Sequence, residues 1–412
     1  MKNLKKILAL VLALVMVFAL AACNNAEDKG NEAKALKVGF IYLHDENSTY
    51  DLNFINAAKA ACEKMGVEYI EKKNIPESND CKEAALDLVD KGCTLIFADS
   101  FGHEQFIAAA AKECPEVQFC HATGTTAHTA GIKNLHNAFA SIYEGRYLAG
   151  VAAGMKLNEM IEAGKFDAKD AKIGYVGAFT YAEVVSGYTS FFLGARSVCP
   201  TTTMEVQFTG SWYDETAEKE AATTLINNGC KLISQHADSM GAPTACETAG
   251  VPNVSYNGST LKACPNTFIV SSRIDWQPYF EYIIGCVKDG KEIDKDWTGD
   301  LATGSVVLTD VNEKAAAKGT QDKINAVKAD IESGKIHIFD TKTFTVDTKT
   351  NPNAKVDADG HLTSFMADVD TDEKFAPDTE AVKDGYFHES EYRSAPYFTI
   401  NIDGIKLLNQ KF

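Results

Sequence analysis

Seven short segments of the sequence bring aromatic rings together with carboxylate, amide or hydroxyl groups, each where an apolar run ends. They are His44–Asp51, Asp99–His103, Ala178–Glu183, Gly210–Asp214, Gln235–Ser239, Tyr256–Asn257 and Arg273–Trp276. Aromatic rings stack on a flat ligand, and polar groups form hydrogen bonds with its edges. The pattern therefore predicts a site that binds a small molecule.

A plainer role is open for some of these polar residues. Ser48, Asp80 and Asp214 each stand at the start of a predicted helix, where a short polar side chain caps free backbone N–H groups. Trp212 cannot cap a helix, and packing between two lobes is the alternative to ligand contact for its ring. The sequence leaves both explanations open.

Catalytic motifs are missing from the sequence. It contains no G-x-S-x-G turn, Walker loop, H-E-x-x-H pair or dinucleotide-binding glycine pattern. His121, His128 and His136 are close in sequence but fall on a strand, a loop and the next strand, so we expect no metal site from them. We predict a protein that is not an enzyme and has neither a metal nor a cofactor.

The elements that hold these segments alternate between strand and helix. Leu36–Leu43, Val67–Ile75 and Cys93–Ser100 have strand patterns, while Leu52–Met65 and Asn79–Lys91 have helical spacing. Strand, helix and strand in succession require parallel strands with crossover helices. The sequence therefore predicts an α/β fold, whose ligands bind at the carboxyl ends of the strands.

A second set of strands and helices begins near Ser141, which predicts two lobes built on one plan. We place the crossings between them at Gly124–Gly131 and near Asn257–Gly258, and expect strand Thr267–Arg273 and helix Trp276–Asp289 to return to the first lobe. The predicted organisation is lobe 1 at 36–124 and 258–335, lobe 2 at 125–257, and a C-terminal appendage at 336–412 packed on a lobe.

The residue composition and patterning of the appendage differ from those of the lobes. Ile336–Val346 alternates as a strand, and Asp347–Gly385 is rich in Asp, Lys and Thr as loops are. The last stretch, from Tyr386 to Phe412, contains a cluster of aromatic residues and a predicted final helix.

The first 22 residues have the pattern of a signal peptide. A lysine-rich start precedes the fourteen-residue apolar run Ile7–Leu20, which is shorter than the roughly 20 residues that span a bilayer. The run ends in Leu20-Ala21-Ala22-Cys23, which resembles a bacterial lipobox, and residues 23–35 read as a lipidated polar tether. We expect an extracytoplasmic protein anchored to the cell membrane by lipid on Cys23; plain secretion is the alternative.

The charge and the cysteine content limit the partners and the redox chemistry. The formal charge of −17 includes three lysines of the predicted signal peptide, which leaves −20 on the rest and disfavours nucleic acid as a partner. Ten cysteines follow Cys23 at wide spacing. We expect mostly buried free thiols, with one or two disulfides as the alternative.

Several motifs together resemble the basic membrane protein (PnrA-like) family of ABC-transporter substrate-binding lipoproteins. Along the chain these motifs are the lipobox, then V-G-F-I-Y, then L-I-F-A-D-S-F-G, and finally Y-E-G-R-Y-L-A-G-V-A-A-G at Tyr143–Gly154. Phe119–Gly124, Gly210–Asp214, Gln235–Ser239 and Asp275–Phe280 are similar to the branch that holds purine bases. The resemblance implies a two-lobed periplasmic-binding-protein-like (type I) fold, each lobe a mostly parallel sheet flanked by helices, with a hinge between.

The resemblance also implies roles for particular residues. Tyr50 and Trp212 would stack on the two faces of a base, and Asp51 and Glu183 would bind its edges. We add four residues at other strand ends, with Asp238 and Asn257 at the edges and Phe101 and Trp276 along the pocket wall. Members that bind nucleosides hold the ribose with an Asp and a Lys, and no such pair stands at Tyr256–Gly258 or Ser272–Ile274.

The expected function is capture of a purine base or nucleoside by interlobe closure, followed by delivery to an ABC permease with its ATPase. We expect a monomer. The alternatives are a binding protein for a sugar or another polar small molecule, a signalling lipoprotein receptor and, with less support, an exported nucleoside hydrolase.

Overall fold

A first sheet of six parallel strands is built from two separate parts of the chain. The computed structural model describes residues 36–369, 374 and 376–410; the predicted signal peptide, Cys23 and the tether lie outside these residues. The strands are β1 (Lys37–Ile41), β2 (Glu68–Lys72), β3 (Leu95–Ala98), β4 (Gln118–Ala122), β5 (Leu135–Ala140) and β11 (Asp296–Gly299). Their order across the sheet is β11-β5-β4-β3-β1-β2. The predicted α/β class is confirmed.

A second sheet of seven strands follows a similar plan. It consists of β6 (Lys172–Gly177), β7 (Thr203–Phe208), β8 (Leu232–His236), β9 (Asn253–Tyr256), β10 (Phe268–Ile274), β12 (Val306–Leu308) and β18 (Ile405–Leu407). The order is β12-β10-β9-β8-β6-β7-β18, and only the β10–β12 pair is antiparallel. Strands such as β3 and β8 are buried along their whole length, as expected where helices cover both faces of a parallel sheet.

Nine α-helices among the described residues cover the two sheets. The first lobe consists of the first sheet with α1 (Thr49–Met65), α2 (Asn79–Asp90), α3 (Glu104–Glu113) and α8 (Gln277–Asp289). The second lobe consists of the second sheet with α4 (Ile142–Glu162), α5 (Ala182–Val198), α6 (Glu215–Asn227), α7 (Gly241–Ala249) and α9 (Thr320–Glu332). None of these helices is long and apolar enough to cross a bilayer.

The chain crosses between the lobes at three neighbouring places. Ser141 connects β5 to α4, Asp275 connects β10 to α8, and the loop from Asp300 to Ser305 connects β11 to β12. Backbone hydrogen bonds join the crossings, from the Ser141 N–H to the Gly299 carbonyl and from the Asp275 N–H to the Ser305 carbonyl, each at 2.7 Å. These three connections form the hinge.

The predicted crossings were therefore wrong. Gly124–Gly131 joins β4 to β5 within the first sheet, and Asn257–Gly258 leads from β9 to β10 within the second. Strand β10 lies in the second sheet, where the prediction returned it to the first, while helix α8 does return to the first lobe. Local apolar patterns reveal that a strand is buried, but both sheets bury their strands equally and the pattern does not say which sheet a strand joins.

The described residues between 336 and 410 form a segment that packs on both lobes. Its strands are β13 (Ala354–Val356), β14 (Leu362–Ala367), β15 (Thr379–Glu380), β16 (Val382–Lys383), β17 (Tyr386–Phe387) and β18. The predicted strand at Ile336–Val346 is instead an irregular stretch with a 3₁₀ turn at Thr341–Thr343. Two further 3₁₀ turns in the described part of the chain are Phe101–His103 and Ala168–Asp170. The predicted final helix is wrong, because Ile405–Leu407 pairs with the otherwise open edge of β7.

Helix caps account for some of the polar residues singled out in the sequence. Ser48 accepts the Asp51 N–H at the start of α1, and Asp214 accepts the Ala217 N–H at the start of α6. At α2 the cap is Ser78, which accepts the Asp80 N–H. The capping role considered for Asp80 therefore belongs to Ser78.

The ten described cysteines are unpaired, and nine of them are buried while Cys114 is half-buried. Burial raises the pKa of several of these thiols, for example that of Cys62 to about 12. They therefore act as small apolar residues of the core.

Helices α4 and α5 approach so closely that glycine is required in the contact. A Cβ atom on Gly150 would overlap the Phe191 carbonyl oxygen, and one on Gly194 would overlap that of Tyr147. In contrast, a Cβ on Gly285 in α8 meets only the end of the Met65 side chain at 4.0 Å. The apolar, glycine-rich motif Tyr143–Gly154 thus encodes a helix contact.

We expect Gly150→Ala to lower the free energy of unfolding by about 2–3 kcal/mol, because the methyl group forces the two backbones apart. Gly285→Ala is the matched control and should leave stability unchanged or raise it by up to about 1 kcal/mol, because alanine is the better helix former. Urea denaturation measures both. Equal stability of the two variants would contradict the close contact.

Candidate ligand-binding site

A cavity lies between the lobes, where strands of both sheets end. The first lobe supplies residues after β1, β3 and β4, and the second supplies residues after β6, β7, β8 and β9. The lining residues are Leu43, His44, Tyr50, Asp51, Ser100, Phe101, Thr123, Glu183, Trp212, His236, Asp238, Tyr256 and Asn257. Parallel topology thus gathers side chains that are far apart in sequence at one place.

Asp51 fixes the loop between β1 and α1. Its carboxylate accepts the His44 N–H at 2.7 Å and the Ser48 hydroxyl at 2.5 Å, and the His44 ring nitrogen Nδ1 lies 3.4 Å away. Burial alone would raise the pKa of Asp51, but these hydrogen bonds outweigh it and lower the pKa. Both oxygens already accept hydrogen bonds from the chain, so Asp51 shapes the loop as well as lining the cavity.

A second carboxyl group lies beneath Tyr50. Asp99 is fully buried and accepts the Leu43 N–H at 3.1 Å, while its backbone carbonyl accepts the Tyr50 hydroxyl at 2.8 Å. Burial, with the neighbouring Asp51, raises the pKa of Asp99 well above its usual value. The neutral acid is therefore favoured at Asp99, and the ionised carboxylate at Asp51.

The second lobe contributes two more carboxyl groups. Asp238 accepts a hydrogen bond from the Asn257 side chain at 3.2 Å, and Glu183 lies 3.4 Å from the His236 ring nitrogen Nε2. Burial raises the pKa of Asp238 well above its usual value, with Asp51 adding to the effect. Burial also lowers the pKa of His236. Both shifts favour the neutral form of the group.

Aromatic rings from both lobes meet around the cavity. Phe101 of the first lobe contacts Tyr181 of the second, with ring centroids 5.2 Å apart, and Tyr181 and Phe179 cover the ring of Trp212. Phe101 and Tyr181 are among the few large apolar residues that stay exposed. The interlobe packing considered for Trp212 and contact with a ligand are therefore compatible, because its ring reaches both the cluster and the cavity.

Hydrogen bonds also join the lobes at the cavity. The N–H and hydroxyl of Thr49 donate to the Asp238 carbonyl at 3.1 and 3.2 Å, and the Asn53 side chain donates to the Asn257 carbonyl at 2.9 Å. The start of α1 is thus bonded directly to the ends of β8 and β9. The structure is that of the closed arrangement.

Seven of the eight residues predicted for ligand binding line this cavity, and Trp276 does not. Trp276 is 1% exposed and stacks on Phe54 with centroids 4.4 Å apart, in the core beneath α1. It follows β10, whose end lies at the hinge, and the chain turns there into the first lobe. The prediction for Trp276 was therefore wrong, because position at a strand end does not distinguish the cavity from the hinge.

Six lining residues were not singled out in the sequence: Leu43, His44, Ser100, Thr123, His236 and Tyr256. Most of them stand inside the strand-end segments described above, so position within those segments was the available signal. Thr123 and Asn257 carry positive φ angles of 63° and 64°. Such strain in a β-branched residue is uncommon and gathers at functional sites.

Arg146 supports the floor of the cavity from within the second lobe. Its guanidinium is fully buried, donates to the Tyr175 hydroxyl at 2.8 Å and to the Ser234 hydroxyl at 3.0 Å, and lies 4.8 Å from the centroid of the Tyr256 ring. Cation–π contact in a dry environment holds the ring in place. The arginine of the Tyr143–Gly154 motif thus positions Tyr256, which lines the cavity.

Glu218 of α6 holds two second-lobe loops together. One carboxylate oxygen accepts the N–H groups of Asp214 and Ser239 at 3.2 and 3.3 Å, and the Asp238 N–H donates to the Trp212 carbonyl at 2.9 Å. Burial raises the pKa of Glu218 to about 7. Its side chain lies outside the cavity but fixes the loops that carry Trp212 and Asp238.

Charge and ligand chemistry limit what this cavity holds. Among the described residues that line it there is no Lys or Arg, so a phosphate or carboxylate would lack a positive partner. Within the described part of the chain, no group of three or more His, Cys, Asp and Glu side chains could hold a metal ion. The arrangement suits a neutral ring with hydrogen-bonding edges.

A known protein family matches most of the chain. The model of the Bmp family, described as ABC transporter substrate-binding protein PnrA-like, matches residues 43–342. A purine-binding protein of Brucella abortus is 34% identical over 286 residues, which cover 68% of this chain and 75% of that protein. The nucleoside-binding protein BmpA of Lactococcus lactis is 23% identical over 82% of this chain and 98% of its own length.

Other similar proteins extend the comparison to sugars and to the fold. A Haloferax volcanii protein named as an ABC transporter glucose-binding protein, TsgA13, is 31% identical over 61% of this chain and 60% of its own length. A solved solute-binding protein of Aeropyrum pernix has a TM-score of 0.63 at 18% identity, over 74% of this chain and 93% of its own. That likeness shows the fold alone and agrees with the predicted two-lobed binding-protein fold.

We expect the stability of the chain to depend on pH through Glu218. The unfolded glutamate has a pKa near 4.5, so stability is fully present below that pH and is lost as the pH rises to about 7, the folded value. Glu218→Gln removes this loss of stability, because glutamine does not titrate. Relative to the parent, the variant should gain on the order of 2 kcal/mol in unfolding free energy between pH 4.5 and pH 8.

Urea denaturation at the two pH values measures the effect. Glu215→Gln, an exposed glutamate in the same helical turn, is the matched control and should show the pH dependence of the parent. If Glu218→Gln and the parent kept a constant difference in stability across the pH range, the buried carboxyl would not titrate as described.

Proposed function

The chain belongs to the PnrA-like family of ABC transporter substrate-binding proteins, and we propose that it captures a purine base or nucleoside outside the cytoplasm and delivers it to a membrane permease. The observation that carries this proposal is the cavity between the lobes, which both lobes line with rings and carboxyl groups. A ligand that touches both lobes binds the closed arrangement better than the open one. It therefore shifts the protein toward closure.

The chemistry of the lining favours a flat, neutral, nitrogen-containing ring. Tyr50, Phe101 and Trp212 offer aromatic faces, and a purine has a large face for stacking. Asp238 in its neutral form donates and accepts a hydrogen bond at once, which matches an edge that pairs an amine with a ring nitrogen. Asn257 and Glu183 complete the edge-binding groups, and Asp51 orients the loop beneath them.

The names of similar proteins support the same ligand class. One relative is named for binding purines and another for binding nucleosides. The relative named for binding glucose supports a sugar as the second candidate, since sugars also stack on Trp and bind Asp and Asn. A signalling receptor would use the same closure but act on a partner other than a permease.

We propose further that lipid on Cys23 anchors the protein to the outer face of the cell membrane. The lipobox-like Leu20-Ala21-Ala22-Cys23 and the polar residues up to 35 support this. A tether of this kind keeps the binding domain near its permease, which raises the effective concentration of one for the other.

A thermal-shift screen of purine bases, nucleosides and sugars on residues 24–412 tests the ligand class. A ligand at 100 times its dissociation constant should add about 2.7 kcal/mol of stability. We expect adenine or another purine to raise the melting temperature and glucose to leave it unchanged. A shift with glucose and none with any purine would replace the first candidate with the second.

Trp212→Ala should abolish the purine-induced shift, because the ring forms part of the cavity wall. Trp297→Ala is the matched control, since Trp297 packs on Tyr279 in the first lobe, outside the cavity. It should lower the melting temperature without ligand but keep the ligand-induced shift. Retention of the full shift by Trp212→Ala would show that the stacking site is elsewhere.

Cys23→Ser should release the protein from the membrane, because serine lacks the thiol that carries the lipid. Expression in a lipoprotein-processing bacterium, followed by detergent phase partition and labelling with a palmitate analogue, measures the change. The parent should enter the detergent phase with label, and the variant should remain aqueous and unlabelled. Equal partition of the two would contradict anchoring at Cys23.

A further inference from the structure

The segment after residue 342 is additional to the family fold. The family match ends at 342, and the solved neighbours cover about three quarters of this chain while spanning nearly all of their own. The two-lobed fold therefore does not require these residues, and their contacts indicate what they add.

This segment contacts the second lobe at several places. Strand β18 extends the second sheet beside β7, and Asp403 forms an ion pair with Arg196 of α5 at 2.6 Å. Phe339 stacks on Phe398 with centroids 4.3 Å apart and also contacts Tyr143 at the start of α4. These contacts hold the segment rigidly against the second lobe and the hinge.

One loop of the segment reaches the first lobe. The Ser394 N–H donates to one oxygen of Asp296 at 2.6 Å, and its hydroxyl donates to the other. The Asn137 side chain of β5 donates to Asp296 at 2.8 Å and to the Ser394 hydroxyl at 3.0 Å. Ser394 is 1% exposed, so water does not compete for these charge-assisted bonds.

The position of this contact links it to opening of the lobes. Three residues of β11, about 10 Å of extended strand, separate Asp296 from Gly299, where the chain begins to cross. A rotation of about 15° about an axis across the strand at that point would shift Asp296 by roughly 2–3 Å relative to the second lobe. Such a shift breaks a hydrogen bond.

We propose that the described residues between 343 and 410 are an interlobe strap that stabilises the closed arrangement before any ligand is bound. The strap is fixed to the second lobe and grips the first lobe at Asp296 through Ser394. Opening the cavity requires this grip to break. The inference rests on the two-lobed fold and its hinge and does not depend on which ligand the cavity holds.

Small-angle X-ray scattering of ligand-free residues 24–412 tests the strap. Asp296→Ala removes the bonds to Ser394 and should raise the open fraction by about tenfold, as expected for loss of a charge-assisted hydrogen bond. Asp403→Ala is the matched control, because Asp403 pairs with Arg196 of the second lobe and accepts the Thr345 N–H within the strap, and neither contact involves the first lobe. It should scatter like the parent.

A second variant tests the strap in case Asp296→Ala does not fold. Asp296 also contacts Asn137 and His128 within the first lobe, so Ser394→Ala removes only the hydroxyl bonds of the strap, and Ser394→Thr restores a hydroxyl. We expect opening in the first and parent-like scattering in the second. Parent-like scattering of a folded Ser394→Ala and a folded Asp296→Ala, or equal opening in Asp403→Ala, would overturn the proposal.

Discussion

The three backbone crossings between the lobes constrain everything else in this structure. Hydrogen bonds from Ser141 to Gly299 and from Asp275 to Ser305 tie the crossings together, so the lobes rotate about one narrow region. Because all strands of the first sheet and all but β12 of the second run parallel, their carboxyl ends face the same gap, and the loops that follow them line it. The cavity is therefore a consequence of topology, with Tyr50 on one wall and Trp212 on the other.

The chemistry of the cavity depends on buried acids with no Lys or Arg among the described residues that line it. Asp99 and Asp238 lie where their charge cannot be solvated, and burial raises the pKa of both. Asp51 stays ionised because the chain itself supplies its hydrogen bonds. The cavity wall combines the carboxylate of Asp51, the neutral acid favoured at Asp238 and aromatic faces, which suits uncharged ligands with donors and acceptors along one edge.

Supporting residues outside the cavity explain how this site keeps its shape. Arg146 holds Tyr256 through its ring face, and Glu218 ties the loop of Trp212 to that of Asp238. The same principle applies on a larger scale to the C-terminal segment, whose contact at Asp296 joins it to the first lobe while β18 joins it to the second. Local rigidity and interlobe contact together set the energy of closure.

The sequence determined the α/β class and the alternation of elements, because burial leaves a local signature. It also predicted seven of the residues that line the cavity: the family resemblance implied Tyr50, Asp51, Glu183 and Trp212, and position at strand ends added Phe101, Asp238 and Asn257. Tertiary structure decided which sheet each strand joins. It places β10 in the second lobe, where the sequence had predicted the first, and it places the crossings at Ser141, at Asp275 and in the loop after Gly299. It also placed Trp276 in the core, since a strand that ends at the hinge has the same local pattern as one that ends at the cavity. The final strand β18 forms only because the edge of β7 offers unpaired backbone groups, and a partner that is two hundred residues away in sequence leaves no local signal.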